Sequence, residues 1–447
     1  MKKHLLAVLL GLMMSAFFVS NAQQTYTAAQ DSAIARAKDF VGHLTKGEHS
    51  ICIGFFDSTM KAVMPLEKLK EVWDTVLVQV GSFKKQLRVN YQKYKVYDIV
   101  FVTCVFEKDT TDVRVVLNEK KQVAGLFFSK SQAPVEYKAP PYVKRETFRE
   151  EEVMVGSGKW TLHGTLTIPK TAEPFPAIVL VHGSGPNDRD ETIGPNKVFR
   201  DLAWGLASKG IAVLRYEKRT REHGTELMAV RSKLTVKDEV IDDALSAVNL
   251  LRGTKGIDVH RIFVLGHSLG GMLAPRIGAA DPGLAGLVML AGATRPLEDV
   301  IVEQTAYLAQ LSGLSQEQQQ AQVTAIEKQR DKVKKLTKAD TSSGEVYFSA
   351  PPSYWLDLRG YDPPQVAQSL NMRMLILQGE RDYQVTMKDY ERWKSALGLN
   401  KNVTFKTYPK LNHLFIAGEG KSGPAEYQRV GHVQEEVIDD VASWLMK

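Results

Sequence analysis

The stretch Gly266-His267-Ser268-Leu269-Gly270 follows the apolar run Ile262-Phe263-Val264-Leu265 and leads into small residues at helical spacing. A serine at a sharp strand-to-helix turn holds a strained backbone, so the positions two before and two after it must be small enough to avoid collision. Gly266 and Gly270 meet that need. A serine hydroxyl is a poor nucleophile at neutral pH; it needs a base within hydrogen-bond reach and a third group to orient that base. Two later stretches supply them in the order serine, acid, histidine. Met374-Leu375-Ile376-Leu377 is followed by Gln378-Gly379-Glu380-Arg381-Asp382, and Val403-Thr404-Phe405-Lys406-Thr407-Tyr408 by Leu411-Asn412-His413. The assignment is Ser268 as nucleophile, His413 as general base and acid, and Asp382 as orienter of the imidazole. Glu380 is the rival for the acid, and the turn after Gly379 favours Asp382.

Negative charge developing on a substrate oxygen must meet fixed donors, each worth about 3 kcal/mol. One expected donor is the backbone N–H of Leu269, directly after the serine at a helix start. The other is the N–H of Ser184, in the loop His182-Gly183-Ser184-Gly185-Pro186 that follows the strand Ile178-Val179-Leu180-Val181. His182 reads as structural. No cofactor or metal is expected: the histidines show no paired ligand spacing. Gly420-Lys421-Ser422 is a poor phosphate loop, because Phe415 stands where its first glycine should be.

These groups need a scaffold, and from residue 145 strands and helices alternate. Arg149 to Val155 and Thr161 to Ile168 read as a strand pair. Strands follow at Ala177 to Val181, Ile211 to Leu214, Ile262 to Leu265 and Leu287 to Leu290, with helices at Lys197 to Lys209, Thr235 to Leu251 and Leu269 to Ala279. That pattern is an α/β fold with a doubly wound, mostly parallel sheet. Between 293 and 371 the alternation stops, giving way to polar helical sequence and then the aromatic pairs Tyr347-Phe348 and Tyr354-Trp355. An insertion there would hang over the strand ends, and a helical cap forming part of an acyl pocket is expected.

The chain has 447 residues, enough for two domains, with 44% hydrophobic and 24% charged residues. Residues 25–131 read as a small α+β domain, with helices around Ile34 to Leu44 and Leu66 to Val78, then strands at Val96 to Phe106, Val113 to Leu117 and Val123 to Phe128. Residues 132–144 read as a linker. Cys52 and Cys104 are read as buried free thiols, although an oxidising compartment would permit a bridge. At the start, Met1-Lys2-Lys3-His4, the apolar stretch Leu5 to Val19 and Ser20-Asn21-Ala22 form the pattern of a secretory signal cleaved near Ala22. The expectation is a secreted or periplasmic protein without a membrane anchor. The formal charge of +7 is modest and scattered, so no nucleic-acid partner is expected. Oligomeric state is not readable from these residues.

Taken together, the loop after Val181, the serine turn, the acid turn and the histidine resemble the α/β-hydrolase superfamily, from about residue 145 to the C-terminus. His182-Gly183-Ser184-Gly185-Pro186-Asn187-Asp188-Arg189-Asp190, with Leu214-Arg215-Tyr216-Glu217-Lys218-Arg219-Thr220, is similar to secreted bacterial acyl hydrolases and esterases related to feruloyl and cinnamoyl esterases. In such relatives Glu217 is often Asp. Phe55-Phe56 through Met60, with Trp73, is similar to a small domain of unknown function fused to these hydrolases, which implies a cystatin- or NTF2-like α+β shape. The resemblance implies a serine hydrolase cleaving small-molecule carboxylic esters through an acyl-enzyme. A serine exopeptidase with the same residue order is the alternative, and a binding protein with a vestigial hydrolase site is a third reading.

Overall fold

The computed structural model describes residues 28–94, 96–131 and 137–447, which fall into two compact units divided before Tyr137. The signal-sequence expectation for residues 1–22 lies outside the described residues. Among the described residues no helix is long and apolar enough to cross a membrane.

In the smaller unit, helices α1 (Ala28–Thr45), α2 (His49–Phe55), α3 (Ser58–Val63) and α4 (Leu66–Val80) precede strands β1 (Phe83–Tyr94), β2 (Tyr97–Phe106), β3 (Thr110–Leu117) and β4 (Val123–Lys130). The strands pair antiparallel in chain order. Alternate residues of β2 and β3, among them Val100, Val102, Val113 and Val115, form one face, on which Phe40, Val41, Phe56 and Trp73 of the helical segment pack. Strand β1 is absent from the sequence reading. Its Gln86, Arg88, Asn90 and Gln92 alternate with Leu87, Val89 and Tyr91, and Lys84, Lys85 and Lys93 add charge on an edge strand, where charge discourages pairing with another chain and dilutes the hydrophobic signal. Cys52 and Cys104 are free and buried, and burial pushes both thiols up to about 12, which leaves them protonated and inert.

The larger unit begins with residues 137–144, read from sequence as linker but tied down here. Tyr137 Oη donates to Asp201 Oδ1 at 2.5 Å and Tyr142 Oη to Val433 O at 2.7 Å. Strands β5 (Phe148–Val155), β6 (Leu162–Pro169) and β7 (Phe175–Val181) come next, then the short pair β8 (Thr192–Ile193) and β9 (Asn196–Lys197), and helix α5 (Val198–Ala207). After β10 (Ala212–Tyr216) come α6 (Arg219–Glu222), α7 (Gly224–Val230) and α8 (Asp242–Arg252), then β11 (Ile257–His267), α9 (Leu269–Ala280) and β12 (Gly286–Leu290). The insertion holds α10 (Leu297–Leu311), α11 (Gln316–Lys335), α12 (Pro352–Leu358) and α13 (Pro363–Gln368). The chain closes with β13 (Arg373–Gly379), α14 (Met387–Leu397), β14 (Val403–Tyr408) and α15 (Glu435–Met446).

The sheet order is β14-β13-β12-β11-β7-β10-β6-β5. Neighbours from β14 to β10 are parallel, while β6 and β5 are antiparallel at one edge. Every residue of β7 and β12 is buried, as expected of parallel strands covered on both faces. After β7 the chain lays β10 on one side and returns to lay β11 on the other. That reversal opens a crevice at the carboxyl ends of β7 and β11, the place where sheets of this kind bind ligands.

The insertion is fastened at its root by Asp389, a fully buried carboxylate that accepts from Thr294 N and Oγ1, each at 2.8 Å, and pairs with Arg295 at 2.7 Å. Helix α11 starts on a capping box of Ser315 and Gln318. Arg359 donates to Val333 O and Leu336 O at its other end, where a cation offsets the orphan carbonyls. The aromatic segment is packed rather than open: Trp355 meets Phe348 edge-on at 5.4 Å and donates from Nε1 to Tyr347 O at 3.0 Å.

Candidate active site

Strand β11 ends at His267 and α9 begins at Leu269, so Ser268 occupies the turn between them, with φ 55° and ψ −113°. Such a conformation costs a non-glycine residue about 1–3 kcal/mol and persists only where the surroundings enforce it. Here Ser268 N–H donates to Leu290 O at 2.9 Å, and Ser268 O accepts from Met272 N–H at 2.9 Å. The turn is tight enough that a Cβ on Gly266 would stand 2.1 Å from Gly270 O, and one on Gly270 would stand 2.2 Å from Val181 O in β7. Both collisions are with backbone, so no side chain can relieve them. Gly270→Ala is expected to cost about 3 kcal/mol or more and to abolish activity, checked by thermal melts beside an ester assay.

Asp382 sits in the turn after β13. Its Oδ1 accepts from Gln384 N–H at 2.7 Å and Val385 N–H at 3.0 Å, which leaves Oδ2 for Gln378 Nε2 at 3.1 Å and for His413 Nδ1 at 2.7 Å. With Nδ1 donating to the carboxylate, a neutral His413 ring carries its lone pair on Nε2, the atom a general base uses. Glu380, the rival, is exposed and accepts from Thr407 Oγ1 at 2.7 Å. The His413 loop is shaped by Asn412, whose Oδ1 accepts from Leu414 N–H at 3.0 Å and whose Nδ2 donates to Glu426 Oε2 at 3.1 Å. Tyr383, beside the acid, stacks on Tyr307 of α10 at 5.1 Å and on Tyr427 at 6.0 Å, coupling the insertion to the acid turn.

Ser268 is joined to this pair through its neighbour. The His267 ring lies 4.7 Å from the His413 ring, centroid to centroid, and His267 Nε2 is 2.9 Å from His413 O. Its Nδ1 is 2.9 Å from Glu191 Oε2. Carbonyl and carboxylate are both acceptors, so the imidazole donates from both nitrogens and is cationic. Burial works against that cation; the Glu191 carboxylate outweighs it and holds the His267 pKa above the ordinary value. Burial likewise opposes the Glu191 charge, and His267 outweighs it. This ion pair went unread in the sequence, because a histidine and a glutamate 76 positions apart show no common motif. Among the described residues the Ser268 hydroxyl makes no hydrogen bond to His413; serine–histidine contacts of this kind are often long until substrate is in place.

Of the expected oxyanion donors, the Leu269 N–H belongs to the first turn of α9 and has no acceptor within the helix. Ser184 is exposed in the loop after β7. Gly183 backs directly on the serine, since a Cβ there would be 3.1 Å from Ser268 Cβ. Its N–H donates to Glu191 Oε1 at 2.7 Å, so a single carboxylate ties this loop to His267. His182 is buried between Phe199 and Tyr216, with Nε2 donating to Asp188 O at 3.0 Å, and burial drives its pKa down to about 4. It is a neutral packing residue. Among the described residues no group of three or more His, Cys, Asp or Glu is placed to hold a metal ion.

A doubly wound sheet with a strained serine after β11 and a histidine–carboxylate pair beyond β13 and β14 defines an α/β-hydrolase. A family model described as serine aminopeptidase, S33, matches residues 172–420, more than half of the chain, and the protein belongs to that family. Residues 37–126 match a model described as a protein of unknown function, DUF3887. Esterase EstD of Thermotoga maritima is 42% identical over 410 residues, spanning 91% of this chain and 94% of that one. Among solved structures, Pyrococcus horikoshii acylaminoacyl peptidase aligns with a TM-score of 0.49 at 14% identity, over 81% of this chain and 56% of its own. Est1E from Butyrivibrio proteoclasticus aligns at 0.43 and 15% identity, over 66% and 99%.

Proposed function

We propose that the protein is a carboxylic-ester hydrolase that works through an acyl-enzyme on Ser268. The observation that carries this reading is the buried His413–Asp382 pair against His267, the residue before the strained serine, in a chain 42% identical to an esterase. His413 Nε2 takes the Ser268 proton as Oγ attacks the ester carbonyl carbon. The oxyanion is met by the N–H groups of Leu269 and Ser184, and Asp382 stabilises the imidazolium. The carbonyl–oxygen bond to the alcohol then breaks, and His413 returns the proton to the departing alkoxide. Water, deprotonated by His413, attacks the acyl-enzyme in the same way and releases the acid with Ser268 restored. Apart from the ester and water, each step uses groups that this chain carries.

The insertion of residues 293–371 serves as a cap that borders the acyl side of the crevice; the Tyr307–Tyr383 stack and the Asp389 anchor support that role. Residues 1–22 serve as an export signal, on the strength of their charged start, apolar stretch and small-residue end. The competing reading is exopeptidase activity. Parallel assays on p-nitrophenyl esters and on aminoacyl p-nitroanilides separate the two. Turnover of the esters without turnover of the anilides is the expected result, and a preference for the anilides would favour the peptidase.

A further inference from the structure

We infer that Lys218, with Asn187 assisting, is a positioning residue that presets the Ser184 oxyanion donor by gripping the other end of the same peptide group; this rests on the oxyanion role given to Ser184 above. A trans peptide is planar, with its C=O and N–H directed to opposite sides. The carbonyl of Gly183 and the N–H of Ser184 belong to one such unit, so whatever holds the carbonyl also aims the N–H. Lys218 Nζ donates to Gly183 O at 2.8 Å, and Asn187 Nδ2 donates to the same oxygen at 3.2 Å and to Ser184 O at 3.1 Å. Glu191 holds the Gly183 N–H. A glycine, otherwise the freest residue in backbone conformation, is thus fixed on both sides where it backs on Ser268.

Lys218 is 2% exposed, and lysine is almost never buried unless it is paired. Its partner is Glu239 at 3.2 Å, which also accepts from Thr220 Oγ1 at 3.2 Å and from the buried phenol of Tyr354 in α12. The Lys218 backbone N–H donates to Asn187 O at 3.1 Å, so backbone and ammonium both clasp the loop after β7. An ammonium on a peptide oxygen in a low-dielectric site draws charge from the amide and makes its N–H a stronger donor. The cation acts on the reaction through the Gly183–Ser184 peptide and does not itself touch substrate.

The test removes the charge pair together, as Lys218→Met with Glu239→Gln, so that no lone charge is left buried. On a p-nitrophenyl ester kcat is expected to fall by about 10²-fold with KM changed by less than about threefold. The affinity for a boronic acid, which forms a tetrahedral adduct on the serine oxygen, is expected to fall in parallel with kcat. A packing role would lower the melting temperature and leave the boronate affinity alone. If kcat and boronate affinity stay within about threefold of the parent, the inference is wrong. Should the double variant not fold, Asn187→Ala on the loop removes the second donor to Gly183 O; a fall in kcat at constant KM supports the inference, and an unchanged kcat contradicts it. Ser268→Ala, assayed alongside, keeps the two readings apart. Activity in that variant defeats the hydrolase reading itself, whereas an inactive Ser268→Ala beside an undiminished Lys218 variant defeats only the role of Lys218.

Discussion

Ser268→Ala is expected to lower kcat on a p-nitrophenyl ester by about 10⁴- to 10⁶-fold while the protein melts within a few degrees of the parent. The large kinetic effect follows from the proposed mechanism, in which the hydroxyl oxygen is the atom that bonds to the acyl carbon; without it only binding and the proposed oxyanion donors remain. The small effect on stability follows from how the turn is held. Its backbone N–H is bound to Leu290 O and its carbonyl to Met272 N–H, both of which alanine retains. Initial rates with a calorimetric melt decide it, and an active Ser268→Ala protein would refute the assignment.

Asp382→Asn is expected to cost about 10⁴-fold in kcat, by a different route. The carboxylate accepts four hydrogen bonds, from Gln384 N–H, Val385 N–H, Gln378 Nε2 and His413 Nδ1. An amide has only one acceptor oxygen. With that oxygen turned to the two backbone donors, its NH2 faces His413 and forces the proton from Nδ1 to Nε2, so the ring no longer has a lone pair on Nε2, the atom a general base uses. Glu380→Gln is the matched control: Glu380 is exposed and bound to Thr407, and its loss should leave kcat within about twofold. A pronounced loss in Glu380→Gln with none in Asp382→Asn would reverse the assignment of the acid.

The parts of this molecule that are readable without coordinates are those governed by local rules. The buried parallel strands β11 and β13 announce themselves as apolar runs whose ends mark where Ser268 and Asp382 stand, while His413 follows the part-exposed edge strand β14. Gly266 is demanded by a collision with Gly270 inside the turn itself, and Gly270 by one with Val181 of the neighbouring strand β7. What escapes such reading is set by distant partners. Glu191 and His267 form a buried ion pair, and Lys218 grips Gly183 across 35 positions, yet each looks like an ordinary polar residue in its own segment. Strand β1 is obscured by the charges that protect a sheet edge. Residues 137–144 look like a proline-rich linker, although Tyr137 and Tyr142 find partners far along the chain. The aromatic pairs near 347–355 are occupied with each other and with Glu239, as side chains at such spacing usually are.

The most direct test of the central claim is to treat the protein with a fluorophosphonate and locate the adduct by peptide mass spectrometry. The account predicts stoichiometric modification of Ser268 with concurrent loss of ester hydrolysis. Ester hydrolysis that survives while Ser268 stays unmodified, or an inactivating adduct on a different residue, would contradict it.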